Sequence, residues 1–195
     1  MTATYDPRTA LLIVDVQNDF ADPSGSLAVR GGDEVVDALN AEISRATAAG
    51  AAVVYTQDWH PDHTPHFAQD GGTWPVHCVH ETWGAELHPG LTRAGDVVHK
   101  GTGGEDGYSA FSVRHPVSGE TTPTTLHDML RTARVERLVI GGLATDYCVV
   151  ETVTDARMLG YPVHVLREAI RAVDLEPGDG DRAITRMRDA GAEVD

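Results

Sequence analysis

Apolar residues along the chain follow two different periods. Ala10 to Val16 (A-L-L-I-V-D-V) is an apolar run with β-branched residues and Asp15 near its end, which predicts a buried central strand. From Asp33 to Ala49, Val35, Val36, Leu39, Ile43 and Ala46 recur near helical spacing, and Gly50 supplies the stop. Ala51 to Tyr55 returns to the strand pattern. Strand, helix, strand in this order is a βαβ unit and predicts a parallel sheet. Further strands are predicted at Asp96–Lys100, Leu138–Ile140 and Pro162–Leu166, with a short edge strand at Ala192–Val194. Helices are predicted over Pro123–Arg134, from Tyr147 onward behind the capping residues Thr145 and Asp146, and over Asp179–Ala190. The fold class that follows is α/β: a doubly wound, mainly parallel sheet of about five or six strands, with helices on both faces.

Between these elements lie three irregular stretches. Gln17 to Gly32 is polar and glycine-containing, and reads as a loop. Pro61 to Gly95 is the longest, and carries His63, His66, His77, His80 and His88; a loop of that length in a compact domain usually has a function. Gly101 to Gly107 is a glycine-rich turn without the spacing of a phosphate loop, so nucleotide binding is not read into it.

Composition narrows the classes further. At 195 residues, with 41% hydrophobic and 23% charged residues, the chain is expected to form one domain, 1–195, with a sizeable core. A formal net charge of −15 argues against a nucleic-acid partner, which calls for clustered Lys and Arg. No apolar run approaches membrane-spanning length and no basic start precedes an apolar segment, so neither a membrane partner nor a signal peptide is expected. The two cysteines, Cys78 and Cys148, make no disulfide framework, and a cytoplasmic location fits them best.

Two sets of residues could carry chemistry. Asp15, Lys100 and the turn leading to Cys148 all fall at or just beyond the C-terminal ends of predicted parallel strands, which share one edge in a doubly wound sheet. There a carboxylate can take a thiol proton, an ammonium can favour the thiolate, and the carboxyl can later protonate a leaving group. The position of Cys148 in the first turn of a helix is expected to favour the thiolate as well. Against this stands the ordinary role of a lone cysteine as a small core residue. The second set is Asp58, His60, His66 and His77, whose imidazole and carboxylate groups suit zinc, iron or manganese. His63, His80 and Cys78 are possible substitutes, while His88 and His99 fit local structural roles.

The residues also resemble a known family. L-L-I-V-D-V-Q-N-D-F at Leu11–Phe20, Q-D-W-H-P at Gln57–Pro61 and W-P-V-H-C-V at Trp74–Val79 are similar to the nicotinamidases of the isochorismatase-like cysteine hydrolase superfamily. G-A-E-L-H-P at Gly84–Pro89, H-K-G at His99–Gly101 and G-L-A-T-D-Y-C-V at Gly142–Val149 extend the match nearly end to end. The resemblance implies Asp15 as general acid/base, Lys100 as its partner and Cys148 as nucleophile. It implies one divalent metal at Asp58, His60 and His77, with His66 as a fourth ligand and His63 its competitor. It further implies a cis peptide before Ala144, an oxyanion hole from the N–H groups of Ala144 and Cys148, and substrate-ring walls at Phe20, Trp74 and Tyr108. The expected activity is hydrolysis of nicotinamide, and of pyrazinamide, to the acid and ammonia through a Cys148 thioester. The resemblance also makes a homodimer an expectation. Competing readings are another small-amide hydrolase of the superfamily and a non-catalytic metal-binding domain.

Overall fold

The computed structural model of the chain describes residues 3–195. Six strands form one sheet: β1 (Thr9–Val14), β2 (Ala52–Asp58), β3 (Asp96–Lys100), β6 (Arg137–Leu143), β7 (Val163–Arg171) and β8 (Glu193–Val194). Their order across the sheet is β3-β2-β1-β6-β7-β8, and every neighbouring pair is parallel. The chain therefore winds outward from β1 in one direction, then returns beside β1 and winds the other way. The point of reversal lies between β1 and β6, and it is outside the carboxyl ends of such strands that a ligand crevice opens.

Period-two alternation in the strands supplies both faces. Ala10, Leu12 and Val14 join Leu138 and Ile140 in one buried cluster, while Leu11, Ile13, Val53, Tyr55 and Val139 enter the other. The first cluster is closed by α3 (Leu126–Thr132), α4 (Val150–Met158) and α5 (Asp179–Asp189). The second is closed by α2 (Val35–Ala48), which buries the five apolar positions picked out by helical spacing. Helices thus cover both faces, as the pattern predicts.

Several boundaries differ from expectation, each for a local reason. The segment expected to be all loop after β1 begins with a short helix, α1 (Asn18–Ala21), whose residues are buried although three of the four are polar or aromatic. The helix expected from Pro123 starts only at Leu126, because Thr121–Pro123 (β5) pairs antiparallel with Ser112–Arg114 (β4) in a small separate hairpin. Strand β7 runs on to Arg171, past the expected Leu166: a register shift against β6 between Ile140 and Gly142 leaves Arg167 and Glu168 exposed and hides the strand pattern. Gly142 has φ of +127°, and a Cβ there would run into the Val14 backbone; glycine is what lets β6 approach the end of β1. No helix among the described residues is long and apolar enough to cross a membrane.

Candidate active site

Four strand ends deliver charged or nucleophilic groups to one edge of the sheet. Asp15 follows β1, with φ of +50°, an uncommon conformation for a residue with a side chain. Asp58 ends β2, Lys100 ends β3, and Cys148 sits in a π-helical turn, Thr145–Val149, directly behind β6. All four are buried. The Lys100 ammonium lies 2.7 Å from Asp15 Oδ2 and 3.0 Å from Asp58 Oδ1, and it donates a third bond to the Gly107 carbonyl. The Thr56 hydroxyl donates to Asp15 Oδ1 at 2.6 Å, so both oxygens of that carboxylate are held. Ligand-type atoms of Asp15, Asp58 and Cys148 all fall within 4.8 Å of one another.

The electrostatics follow from burying three acidic groups around one cation. Burial raises the Asp15 carboxyl to about 6; Lys100 pulls it down, and the neighbouring Asp58 charge pushes it up again. For Asp58 burial also acts upward, but Lys100 and the imidazoles of His60 and His77 outweigh it and hold that carboxyl below its ordinary value. The Cys148 thiol moves the opposite way from the sequence expectation. Burial drives it well above its ordinary value, Lys100 opposes, and the Asp15 and Asp58 charges add to the rise. A position at the start of a helix favours a thiolate, but here desolvation beside two carboxylates is the larger effect. The resting group is a thiol, and it needs a base to become a nucleophile. The expected cap is corrected too: no side chain caps this turn, and Asp146 instead accepts bonds from the N–H groups of Val173 and Asp174, at 2.9 and 2.8 Å.

Beside this group lie three buried imidazoles. Ligand-type atoms of His60, His66 and His77 fall within 4.8 Å of one another, and each ring has at least one nitrogen without a hydrogen bond. His77 Nδ1 is bonded to the Pro75 carbonyl and His66 Nδ1 to the Asp106 carboxylate, both at 2.7 Å, which leaves the Nε2 lone pairs unused. His60 is fully buried and neither of its nitrogens has a hydrogen-bond partner among the described residues. Burial lowers His60 to about 4 and lowers His77 as well, so both rings are neutral near pH 7, the form that binds a metal. Buried polar atoms are seldom left without a partner, and a cation among these three rings would satisfy them. Asp58 sits at the border: its Oδ2 is 3.9 Å from His60 Nε2, while Oδ1 belongs to Lys100. Of the competing loop histidines, His63 is exposed and pairs with Asp70, so it stands outside the cluster. His99, expected to serve local structure, stacks on Trp59 with ring centroids 4.3 Å apart.

A cavity joins the two groups. Phe20, Trp74 and Tyr108 line it together with Ala144, Cys148 and Tyr147. Trp74 Nε1 donates to the Tyr108 hydroxyl at 2.7 Å, and the Trp74 and Tyr147 rings meet edge to face, so the aromatic walls brace one another. The peptide bond between Leu143 and Ala144 is cis. Tyr147 was not singled out by sequence reasoning, nor was Gln17, whose amide clamps Asp58 by accepting its N–H at 2.8 Å and donating to its carbonyl at 2.7 Å. A run of three polar residues, Gln17-Asn18-Asp19, emerging straight from a buried strand was the available signal for the latter.

Comparison with known proteins identifies the family and the fold. The chain is 41% identical to the nicotinamidase of Escherichia coli, over 96% of this chain and 94% of that protein. The crystal structure of a Pyrococcus horikoshii pyrazinamidase in complex with zinc superposes with a TM-score of 0.85 at 36% identity, covering 97% of this chain and 99% of that one. An L. infantum protein in complex with nicotinate superposes with a TM-score of 0.89 at 35% identity, covering 100% and 96%. Residues 9–194 match the isochorismatase domain, a span running from the first residue of β1 to the last of β8. The chain therefore belongs to the isochorismatase domain family.

Proposed function

We propose that this protein is a metal-containing cysteine amidohydrolase that converts nicotinamide to nicotinate and ammonia, and that also accepts pyrazinamide. The observation that carries the reading is the meeting of a buried acid–lysine–thiol group and a cluster of three buried imidazoles in one aromatic-walled cavity. Its likeness to the Escherichia coli nicotinamidase and to the nicotinate-bound structure supports that choice of substrate. His60, His66 and His77, with Asp58 at their border, are the residues that would hold one divalent transition metal such as zinc, iron or manganese. When bound, it would supply a Lewis-acid docking point for the pyridine nitrogen.

The chain's own residues carry the chemistry. Phe20, Trp74 and Tyr108 wall the ring and exclude water, so that the carboxamide lies beside Cys148. Asp15 takes the proton from Cys148 Sγ, and the sulfur attacks the carboxamide carbon. Lys100 keeps the charges of Asp15 and Asp58 balanced through this step. The N–H groups of Ala144 and Cys148 face the developing oxyanion. Asp15 returns its proton to the amide nitrogen, ammonia leaves, and a thioester remains on Cys148. Water then adds to the thioester carbon, giving its proton to Asp15; the acid departs and the proton passes back to the sulfur.

The direct test is ammonia release from nicotinamide by purified protein before and after chelator treatment. Release is expected to fall with the chelator and to return with added zinc, iron or manganese. Metal-replete protein that releases no ammonia from nicotinamide would overturn the assignment.

A pH dependence follows from Asp15. The base must start as a carboxylate, and burial places its titration at about 6. Below that value kcat/KM should fall about tenfold per pH unit, and above it the profile should level off. Metal content measured on the same samples separates this limb from loss of metal. A profile flat to pH 5 with the metal retained would exclude Asp15 as the base.

A further inference from the structure

The glycine-rich turn Gly101–Gly107 has no place in the mechanism so far, yet it lies against His60, His66 and Asp58 of the metal-ligand cluster and against their neighbours Thr64 and Lys100. Gly101 lies against the His60 ring, where a Cβ would come within 2.7 Å of Nδ1. The Gly104 carbonyl accepts a bond from the Thr64 hydroxyl at 2.6 Å, and Thr64 Oγ1 in turn accepts the His66 N–H at 3.2 Å. Gly107 packs on Asp58, where a Cβ would stand 2.9 Å from Oδ1, and its carbonyl receives Lys100. Within the turn, Asp106 is the residue whose side chain reaches an imidazole. Its Oδ1 is 2.7 Å from His66 Nδ1, and both side chains are largely buried.

The placing of Asp106 is fixed independently of His66. Its backbone N–H and carbonyl pair with Arg114 on β4, at 2.8 and 2.9 Å, so the separate β4–β5 hairpin anchors the turn. The carboxylate accepts the Nδ1 proton and has no second side-chain hydrogen bond among the described residues. That arrangement selects one tautomer, holds the ring plane and leaves Nε2 as the lone-pair nitrogen. His77 obtains the same selection from a neutral carbonyl, and His60 has no such partner. A charged acceptor makes the ring it holds the more basic ligand.

We propose that Asp106 is a positioning residue that acts through His66, presenting its Nε2 as a metal ligand and setting the strength of the site. The hairpin and the glycine-rich turn exist in this chain as the mount for that carboxylate. The proposal rests on the metal-amidase reading, but its readouts need no substrate.

The test is zinc affinity of metal-free protein, measured by competition with a chromophoric chelator. Asp106→Ala should weaken zinc binding about 10- to 100-fold, and Asp106→Asn, which keeps the shape and an uncharged acceptor, should lose less. Visible absorption of the cobalt-loaded protein should change in both variants, because the ligand field at the ion changes. In a His66→Ala background, Asp106→Ala should cause no further loss, since the ring it acts through is gone. Zinc affinity equal to that of the parent in both Asp106 variants would overturn the proposal. So would a loss of the same size with and without His66, which would mean that Asp106 acts by its charge on the whole cluster. Should Asp106→Ala fail to fold, Asp106→Asn carries the comparison. Failure of the protein to hydrolyse nicotinamide would leave these affinities unchanged, so the two readings fall separately.

Discussion

Replacing Cys148 with alanine is expected to abolish ammonia release while leaving the substrate bound. The cavity keeps its aromatic walls, its imidazoles and the Asp15–Lys100 pair, none of which depends on the sulfur. Nicotinamide should therefore still bind to Cys148→Ala with near-parental affinity, as read by calorimetry. Turnover should fall by on the order of 10⁴-fold or more, because among the described residues no other thiol lines the cavity where a thioester could form. The fold should tolerate the change. Asp15 keeps its bonds to Lys100 and Thr56 without the sulfur, and removing one buried sulfur costs about 1–2 kcal/mol, well within the stability of a domain of this size. The resting thiol adds a second readout. Because burial and two carboxylates keep it protonated, the parent should react slowly with iodoacetamide at pH 7 and faster as pH rises, and Cys148→Ala should lose that labelling. Since Cys78 is fully buried, it should contribute little background. Turnover retained in Cys148→Ala would remove the nucleophile from the mechanism.

How much of this was legible in the chain depended on whether a feature is local. The strand ends were legible because apolar runs mark the strands, and a charged residue follows each run closely: Asp15 directly after Val14, Asp58 after Thr56 and Gln57, and Lys100 after His99. Convergence followed from topology alone, since parallel strands share that edge. The hairpin β4–β5 was not legible, because Ser112–Arg114 and Thr121–Pro123 are exposed or half-buried and carry no apolar period to read. The choice between His63 and His66 was equally closed to sequence. Both lie in one irregular loop, and only the fold turns one toward Asp106 and the other toward solvent. The thiol's protonation was misjudged for a related reason. A helix start is visible in sequence, whereas the burial that outweighs it exists only in the folded chain, and the carboxylates that add to it, Asp58 and Asp15, lie 90 and 133 positions away. Tyr147, adjacent to the cysteine, carries no signal in the sequence beyond opening the predicted helix; only the fold brings its ring to the cavity wall.

Lys100 is the group on which both stability and activity depend, and Lys100→Met isolates its charge at similar volume. In the parent, one buried ammonium pairs with two buried carboxylates at 2.7 and 3.0 Å. Without it, Asp15 and Asp58 face each other in a dry site, and breaking a buried pair from one side costs about 3–5 kcal/mol. The cost should depend on pH in a defined direction. Lys100 lowers both carboxyls, so its loss raises both in the folded state relative to the unfolded chain. A folded state that holds protons more tightly gains stability as pH falls, so the deficit of Lys100→Met should be largest near pH 8 and shrink toward pH 5. Urea unfolding of metal-free parent and variant at both pH values measures it. Activity should fall by about 10²- to 10⁴-fold at neutral pH, because an Asp15 that holds its proton cannot take one from Cys148. Part of that loss should be recovered at higher pH, where Asp15 ionises without help; a purely structural role for Lys100 predicts no such recovery. Equal stability of parent and variant at pH 8 would show that the ammonium does not hold the two carboxylates together.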